Sequence, residues 1–148
     1  MNPDLDLAQC SLAATTCLNN HLRRATRSVS NLYDEALRPS GLRGTQFSLL
    51  VALALATPVT ITALAEGMMM DRTTLSRNLK PLTRDGLVTV AAGDDQRQRV
   101  ISITPAGATR LAAAFPLWQT AQQRMLDSLG IQEIENLVMS LATAVDMT

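Results

Sequence analysis

Both cysteines and the only histidine of the chain fall in one short run, CSLAATTCLNNH, from Cys10 to His21. Thiolates attack oxidants and electrophiles and bind soft ions, and imidazole joins them in such sites. If the run is helical, at ~100° per residue Cys10, Cys17 and His21 lie within roughly 40° of one another on a single stripe. Three chemistries fit that stripe. Oxidation or electrophilic modification would use the thiols of Cys10 and Cys17. A soft metal or metalloid would be held by Cys17 and His21 at i, i+4, with Cys10 or a residue of a second chain completing the site. Plain packing would set the cysteines among Leu7, Ala14 and Leu18 and leave His21 hydrogen-bonded at a helix seam. Seven residues of intact helix separate the two cysteine Cα atoms by roughly 10 Å, too far for a disulfide within it. A disulfide must therefore join two chains or reach out of the helix.

The elements that carry these residues follow from pattern and punctuation. The chain has 148 residues, 47% of them apolar but only 3% aromatic, which favours one domain with a helical core of Leu, Ala, Val, Ile and Met. The opening MNPDLDLAQC is acidic and unlike a signal peptide, and the longest apolar run, FSLLVALALA, is far short of the ~20 residues that cross a bilayer. A cytoplasmic protein without membrane contact is expected, in which structural disulfides are rare. A long first helix is predicted from about Leu7 to Leu37, stopped by Arg38-Pro39-Ser40-Gly41. Helices of that length usually pack on a second chain. A second, largely buried helix should run from Arg43 to Ala56.

Next come a short helix capped by Thr60, a turn at Met68-Met69-Met70, and a helix capped by Asp71 and stopped at Gly86. Two short helices across a tight turn form a helix-turn-helix pattern. In the second, Leu75, Leu79 and Leu82 share the inward stripe, while Thr73, Arg77, Lys80 and Arg84 lie opposite with Ser76 beside them. Pro81 is expected to kink or loosen its later half. Leu87 to Val90 and Arg99 to Ile103 alternate as two strands joined by a Gly-Asp turn. Thr104-Pro105 then opens a long helix to about Leu129, bent near Pro116, and Gly130 separates a last helix from Gln132 to Val145. The fold class is mainly α with a small β-hairpin.

Formal net charge is zero, yet position matters more than the total. Between Asp71 and Arg110 seven Arg or Lys residues stand against four Asp, whereas beyond Arg110 only Arg124 opposes Asp127, Glu133, Glu135 and Asp146. A basic middle precedes an acidic tail, and the middle suits a phosphate backbone. Catalysis has little support: there is no nucleophile elbow, no phosphate-binding glycine loop and no partner for His21. Asp94 and Asp95, adjacent at a hairpin tip, point apart. No enzyme activity and no required cofactor are expected.

The run LAEGMMMDRTTLSRNLKPLTRDGLV, followed by DDQRQRVISITPAG, resembles the signature of MarR-type winged-helix transcriptional regulators. The shared marks are Leu-Ala in the first short helix, a Thr/Ser-rich second helix ending in Asp-Gly-Leu-Val, Asp95-Gln96-Arg97 in the wing, and Thr104-Pro105-Ala106-Gly107 opening the next helix. The resemblance spans essentially the whole chain. It implies a single domain with dimerisation helices at 1–38 and 105–148 and a winged helix-turn-helix at 43–104. It also implies a homodimeric repressor on a pseudo-palindromic DNA operator, released by an oxidant, thiol-reactive agent, metal or metalloid, or small-molecule ligand. Thr73, Ser76 and Arg77 would reach base edges or adjacent phosphates, and Arg72, Thr74 and Lys80 mainly the backbone. Arg97 would enter the minor groove, oriented by Asp95 or Asp94, with Arg99, Arg43 and Thr45 on phosphates. A ligand cleft lined by Trp118 and Met68-Met69-Met70 is a further expectation. The rival reading is a dimerisation or interaction module that does not bind DNA.

Overall fold

The computed structural model describes residues 5–93 and 98–146. Two compact units emerge, one ending at Leu32 and one beginning at Tyr33.

In the first unit the expected continuous helix is broken. Helix α1 (Leu7–Thr16) opens on Asp6, whose carboxylate accepts from the amides of Ala8 and Gln9, and ends at Cys17, which has ψ 106°. Helix α2 (Leu18–Leu37) begins at once and continues into the second unit. The cause is local. The hydroxyls of Thr15 and Thr16 both turn back onto carbonyls one turn earlier, Thr15 onto Ser11 and Leu12, Thr16 onto Leu12. Such back-bonding competes with the helical ladder and bends it. The interruption corrects the prediction of one helix from Leu7 to Leu37 and places His21 on a different helix from Cys10, while the Cys17 amide still bonds the Ala13 carbonyl at the end of α1.

The second unit holds the core. A 3-10 turn at Arg38–Ser40 leads through Gly41, at φ 74°, to α3 (Gly44–Ala56). Helix α3 is the centre of the packing: Phe47, Leu49, Leu50 and Leu53 are buried with Leu37, Leu75, Leu82, Val88 and Ile101. Strand β1 (Val59–Thr60) precedes α4 (Ile61–Gly67), and Thr60 caps that helix by accepting from the Ala63 amide. After a turn in which Met69 adopts φ 51°, α5 (Arg72–Arg84) runs through Pro81 as one helix.

Strands β2 (Val88–Ala92) and β3 (Arg99–Ile103) pair antiparallel, with Val90 opposite Ile101. The hairpin is joined by β1, giving the order β1-β3-β2. The third strand was not expected, because two residues, Val59 and the helix cap Thr60 itself, carry no periodicity. Helix α6 (Pro105–Leu129) also continues through its internal proline, Pro116, and α7 (Ile131–Val145) follows Gly130. The architecture is a helix-turn-helix with a β-hairpin wing, flanked by long helices. No described helix is long and apolar enough to cross a membrane.

The Thr-x-x-Gly run at the start of α6 has a physical basis here. The Thr104 hydroxyl accepts from the Gly107 amide at 3.0 Å and donates to the Gly86 carbonyl at 2.7 Å, so one side chain ties the helix to the end of the preceding turn. Gly107 is buried, and a Cβ there would lie 2.0 Å from the Leu87 carbonyl oxygen. The helix can approach the strand only because this residue has no side chain.

Candidate nucleic-acid interface

Helix α5 divides cleanly into two faces. Leu75, Leu79 and Leu82 are buried, whereas Thr73, Ser76, Arg77 and Lys80 are exposed on the side away from the core. Burying three leucines fixes the rotation of the helix, and rotation decides which side chains can enter a groove. Its N-terminus is held by Asp71, whose carboxylate accepts from the Thr74 amide at 2.8 Å and the Thr74 hydroxyl at 2.7 Å. The hydrogen bonds from Thr74 keep the Asp71 carboxyl below the usual carboxylate range. Thr74, expected on the DNA backbone, has its hydroxyl proton directed at Asp71 in this structure.

At the other end Arg84 bonds Asp85 at 2.8 Å. That contact holds the Asp85 carboxyl below its ordinary range and raises the Arg84 guanidinium. The outward face therefore presents Arg77 and Lys80 as its open cations. Arg72, at the first helical position, donates through Nη2 to the Thr62 hydroxyl of α4 at 2.9 Å. This bond between the two helices of the motif carried no signal in the sequence, since it joins residues ten positions apart across the turn.

Arg99 is exposed at the start of β3, and Arg43 and Thr45 are exposed at the start of α3, where the Arg43 amide donates to Gln46 Oε1. Asp94, Asp95 and Arg97 lie outside the described residues. Two clefts flank the motif. One, of about 520 Å³, is lined by Thr60, Thr62, Glu66, Arg72, Gln98 and Arg99 among others. The second, of about 400 Å³, lies between α5 and the hairpin, over Ile61, Leu79 and Val90, with Lys80 and Arg84 at its edge.

Residues 40–98 match the model of the MarR family. Across 88% of this chain and 97% of the other, the fold superposes on the Mycobacterium tuberculosis transcriptional regulator MosR in complex with DNA, with TM-score 0.78 and 40% sequence identity. The chain belongs to the MarR family. A probable transcriptional regulator from Pseudomonas aeruginosa is 29% identical at TM-score 0.79, over 86% of this chain and 96% of that one. Among curated proteins, an uncharacterized HTH-type regulator of Bacillus cereus is 27% identical over 84% of this chain and 83% of its own length. The uncharacterized HTH-type regulator YwoH of Bacillus subtilis is 28% identical over 59% of this chain, a match that spans 66% of YwoH, just under two thirds. All four are described as regulators of transcription.

Within this MarR-family chain the N-terminal cysteines are both free and exposed. The break at Cys17 leaves the Thr15 carbonyl without its helical partner, and His21 Nε2 takes it at 2.9 Å. A carbonyl can only accept, so Nε2 carries the proton and the other ring nitrogen is the one open to a metal. Among the described residues no group of three or more His, Cys, Asp or Glu comes together to hold a metal ion. Trp118, expected in a ligand cleft, stacks on Phe47 with ring centroids 6.1 Å apart, and Phe115 meets both edge-on. Met68 and Met70 also pack against the core, while Met69 is exposed.

Proposed function

We propose that this protein is a sequence-specific DNA-binding repressor that acts as a homodimer on a pseudo-palindromic operator. The observation that carries the reading is the α5 face: hydroxyls, Arg77 and Lys80 stand outward on a helix whose rotation is set by three buried leucines. Arg77 grips a guanine edge with two hydrogen bonds, Thr73 and Ser76 read adjacent bases, and Lys80 and Arg72 meet phosphates. Arg97 of the wing enters the minor groove, and Arg99, Arg43 and Thr45 contact the backbone.

The dimer is supported by apolar surface that one chain leaves uncovered. Helix α7 buries no residue, and Ile131, Leu137, Val138, Met139 and Leu141 are exposed on it. In the other unit Leu7, Leu12 and Leu18 are likewise exposed. Contiguous apolar faces of this kind mark protein interfaces. Two copies of α5 then read half-sites about one DNA turn apart.

Fluorescence anisotropy with a fragment of the protein's own promoter tests the reading. Wild type should bind with strong salt dependence, and Arg77→Ala should lose about tenfold or more in affinity and discriminate less among operator variants. A wild type that ignores DNA even at low salt, while remaining dimeric, would favour the interaction-module reading.

Release by thiol chemistry is the effector reading favoured by exposed Cys10 and Cys17. Peroxide should release wild type from DNA, and Cys10→Ser or Cys17→Ser should resist. Release by arsenite or a soft metal without a crosslinked band on a non-reducing gel would point to ion binding at Cys17 and His21 instead. Indifference of all three proteins to every treatment would leave a small organic ligand as the effector.

A further inference from the structure

The cleft of about 520 Å³ lies at the turn end of the hairpin, where Arg99 pairs with Ala92, and is more polar than an organic-ligand pocket. Such pockets are lined mostly by apolar and aromatic groups. Here Ile61 and Ala63 share the wall with Thr60, Thr62, Gln98, Arg72, Arg99 and the acid Glu66. Among the described lining residues two cations stand against one acid. Three separate segments supply it: the start of α4, the first residue of α5, and the strand end that begins β3. The Thr62 hydroxyl already holds Arg72 at 2.9 Å, so one guanidinium is oriented before any ligand arrives. Resting on the DNA-binding reading above, we infer that Arg72 and Arg99 converge on one oxyanion and that the cleft is the seat of a single backbone phosphate of the operator, with Thr62 as the positioning residue for Arg72. The volume exceeds one phosphate and accommodates the flanking sugar as well. Guanidinium groups suit this task because their planar donors match phosphate oxygens in pairs.

The seat differs from two independent phosphate contacts in a countable way. Each neutralised phosphate contributes about −0.9 to the slope of log K against log salt. The double variant Arg72→Gln/Arg99→Gln should therefore flatten that slope by about one per subunit, and either single variant should weaken binding roughly three- to tenfold. Thr62→Val should weaken binding several-fold, with affinity restored by Thr62→Ser. A second arm needs no DNA: titration of inorganic phosphate into the free protein, followed by amide chemical shifts, should perturb Thr62 and Arg99 at millimolar concentrations and leave the double variant silent.

Flattening by about two per subunit would show separate contacts and overturn the shared seat, as would an unchanged slope. Micromolar phosphate binding together with an unchanged DNA slope would assign the cleft to a soluble anion and overturn the DNA occupant. If wild type bound no promoter fragment at all, the regulator reading and the DNA occupant would fall together. If it bound and Arg77→Ala weakened it, an unchanged slope in the double variant would remove the seat alone.

Discussion

Gly107 shows how much can hang on one missing side chain. Its absent Cβ is the space in which the Leu87 carbonyl sits, so Gly107→Ala must push α6 off the hairpin or shift the strand. A destabilisation of about 1–3 kcal/mol is expected from forced overpacking, read as a lower midpoint in chemical unfolding. Gly67, with nothing within 4 Å of its added Cβ and no positive φ, is the control. Gly67→Ala should leave the midpoint unchanged or raise it slightly. Asp71 adds a pH signature. Its folded-state pKa is depressed by the bonds from Thr74, so its contribution is present above the unfolded value, about 3.9, and is lost as pH falls through the folded value. Wild type and Asp71→Asn should differ in thermal stability near neutral pH and converge in acid; parallel curves down to pH 2 would remove the cap from the account.

At the scale of elements, the last turn of α2, from Tyr33 onward, is joined to the start of α3 by side-chain bonds. The Asp34 carboxylate accepts from the Gly44 amide at 2.7 Å, at the positive end of α3. A Cβ on Gly44 would meet Asp34 Oδ1 at 3.4 Å and Tyr33 Cβ at 3.6 Å, so the two helices touch almost backbone to side chain there. The neighbouring Tyr33 donates its hydroxyl to Gln122 of α6, and burial raises the Tyr33 pKa. Arg110 of α6 closes the same corner by donating to the Ser40 carbonyl at 3.0 Å. Asp34→Ala leaves a half-buried amide unpaired and should cost about 1–3 kcal/mol, against about 0.5–1.5 kcal/mol for Tyr33→Phe. Amide exchange should localise the Asp34→Ala loss to the first turn of α3; a uniform loss across the core would place the defect elsewhere.

The whole molecule carries its DNA-binding logic in distribution rather than total. Net charge is zero, yet Arg77 and Lys80 stand on the outward face of α5 with Arg72 and Arg99 at the adjoining cleft. Apolar residues are distributed just as unevenly, with the Leu37-to-Ile101 core closed and α7 uncovered. Leu137→Glu together with Leu141→Glu should yield a monomer by sedimentation and lower operator affinity by orders of magnitude, because each half-site alone provides half the contacts. The α7 substitutions should leave the monomer's helical circular dichroism largely intact, since neither side chain is buried in the single chain. A double variant that stays dimeric would move the subunit seam away from α7.

Much of this was legible in the residues themselves. Asp71, Thr60 and Thr104 cap the helices that their spacing predicts, Gly86 and Gly130 end others, and the leucine stripe of α5 faces inward as its 3.6-residue period requires. These features depend on neighbours within one turn, so the chain order itself encodes them. The break at Cys17 was not legible: two threonine hydroxyls bond back to the ladder there, in a run that otherwise reads as continuous helix. The rest depended on residues brought together from far apart. Tyr33 meets Gln122 across 89 positions, Arg110 meets Ser40 across 70, and β1 exists only because β3 offers it a ladder. Capping and periodicity are read along the chain, whereas a cleft, a joint or an uncovered face arises only when separate elements pack and leave some groups paired and others open.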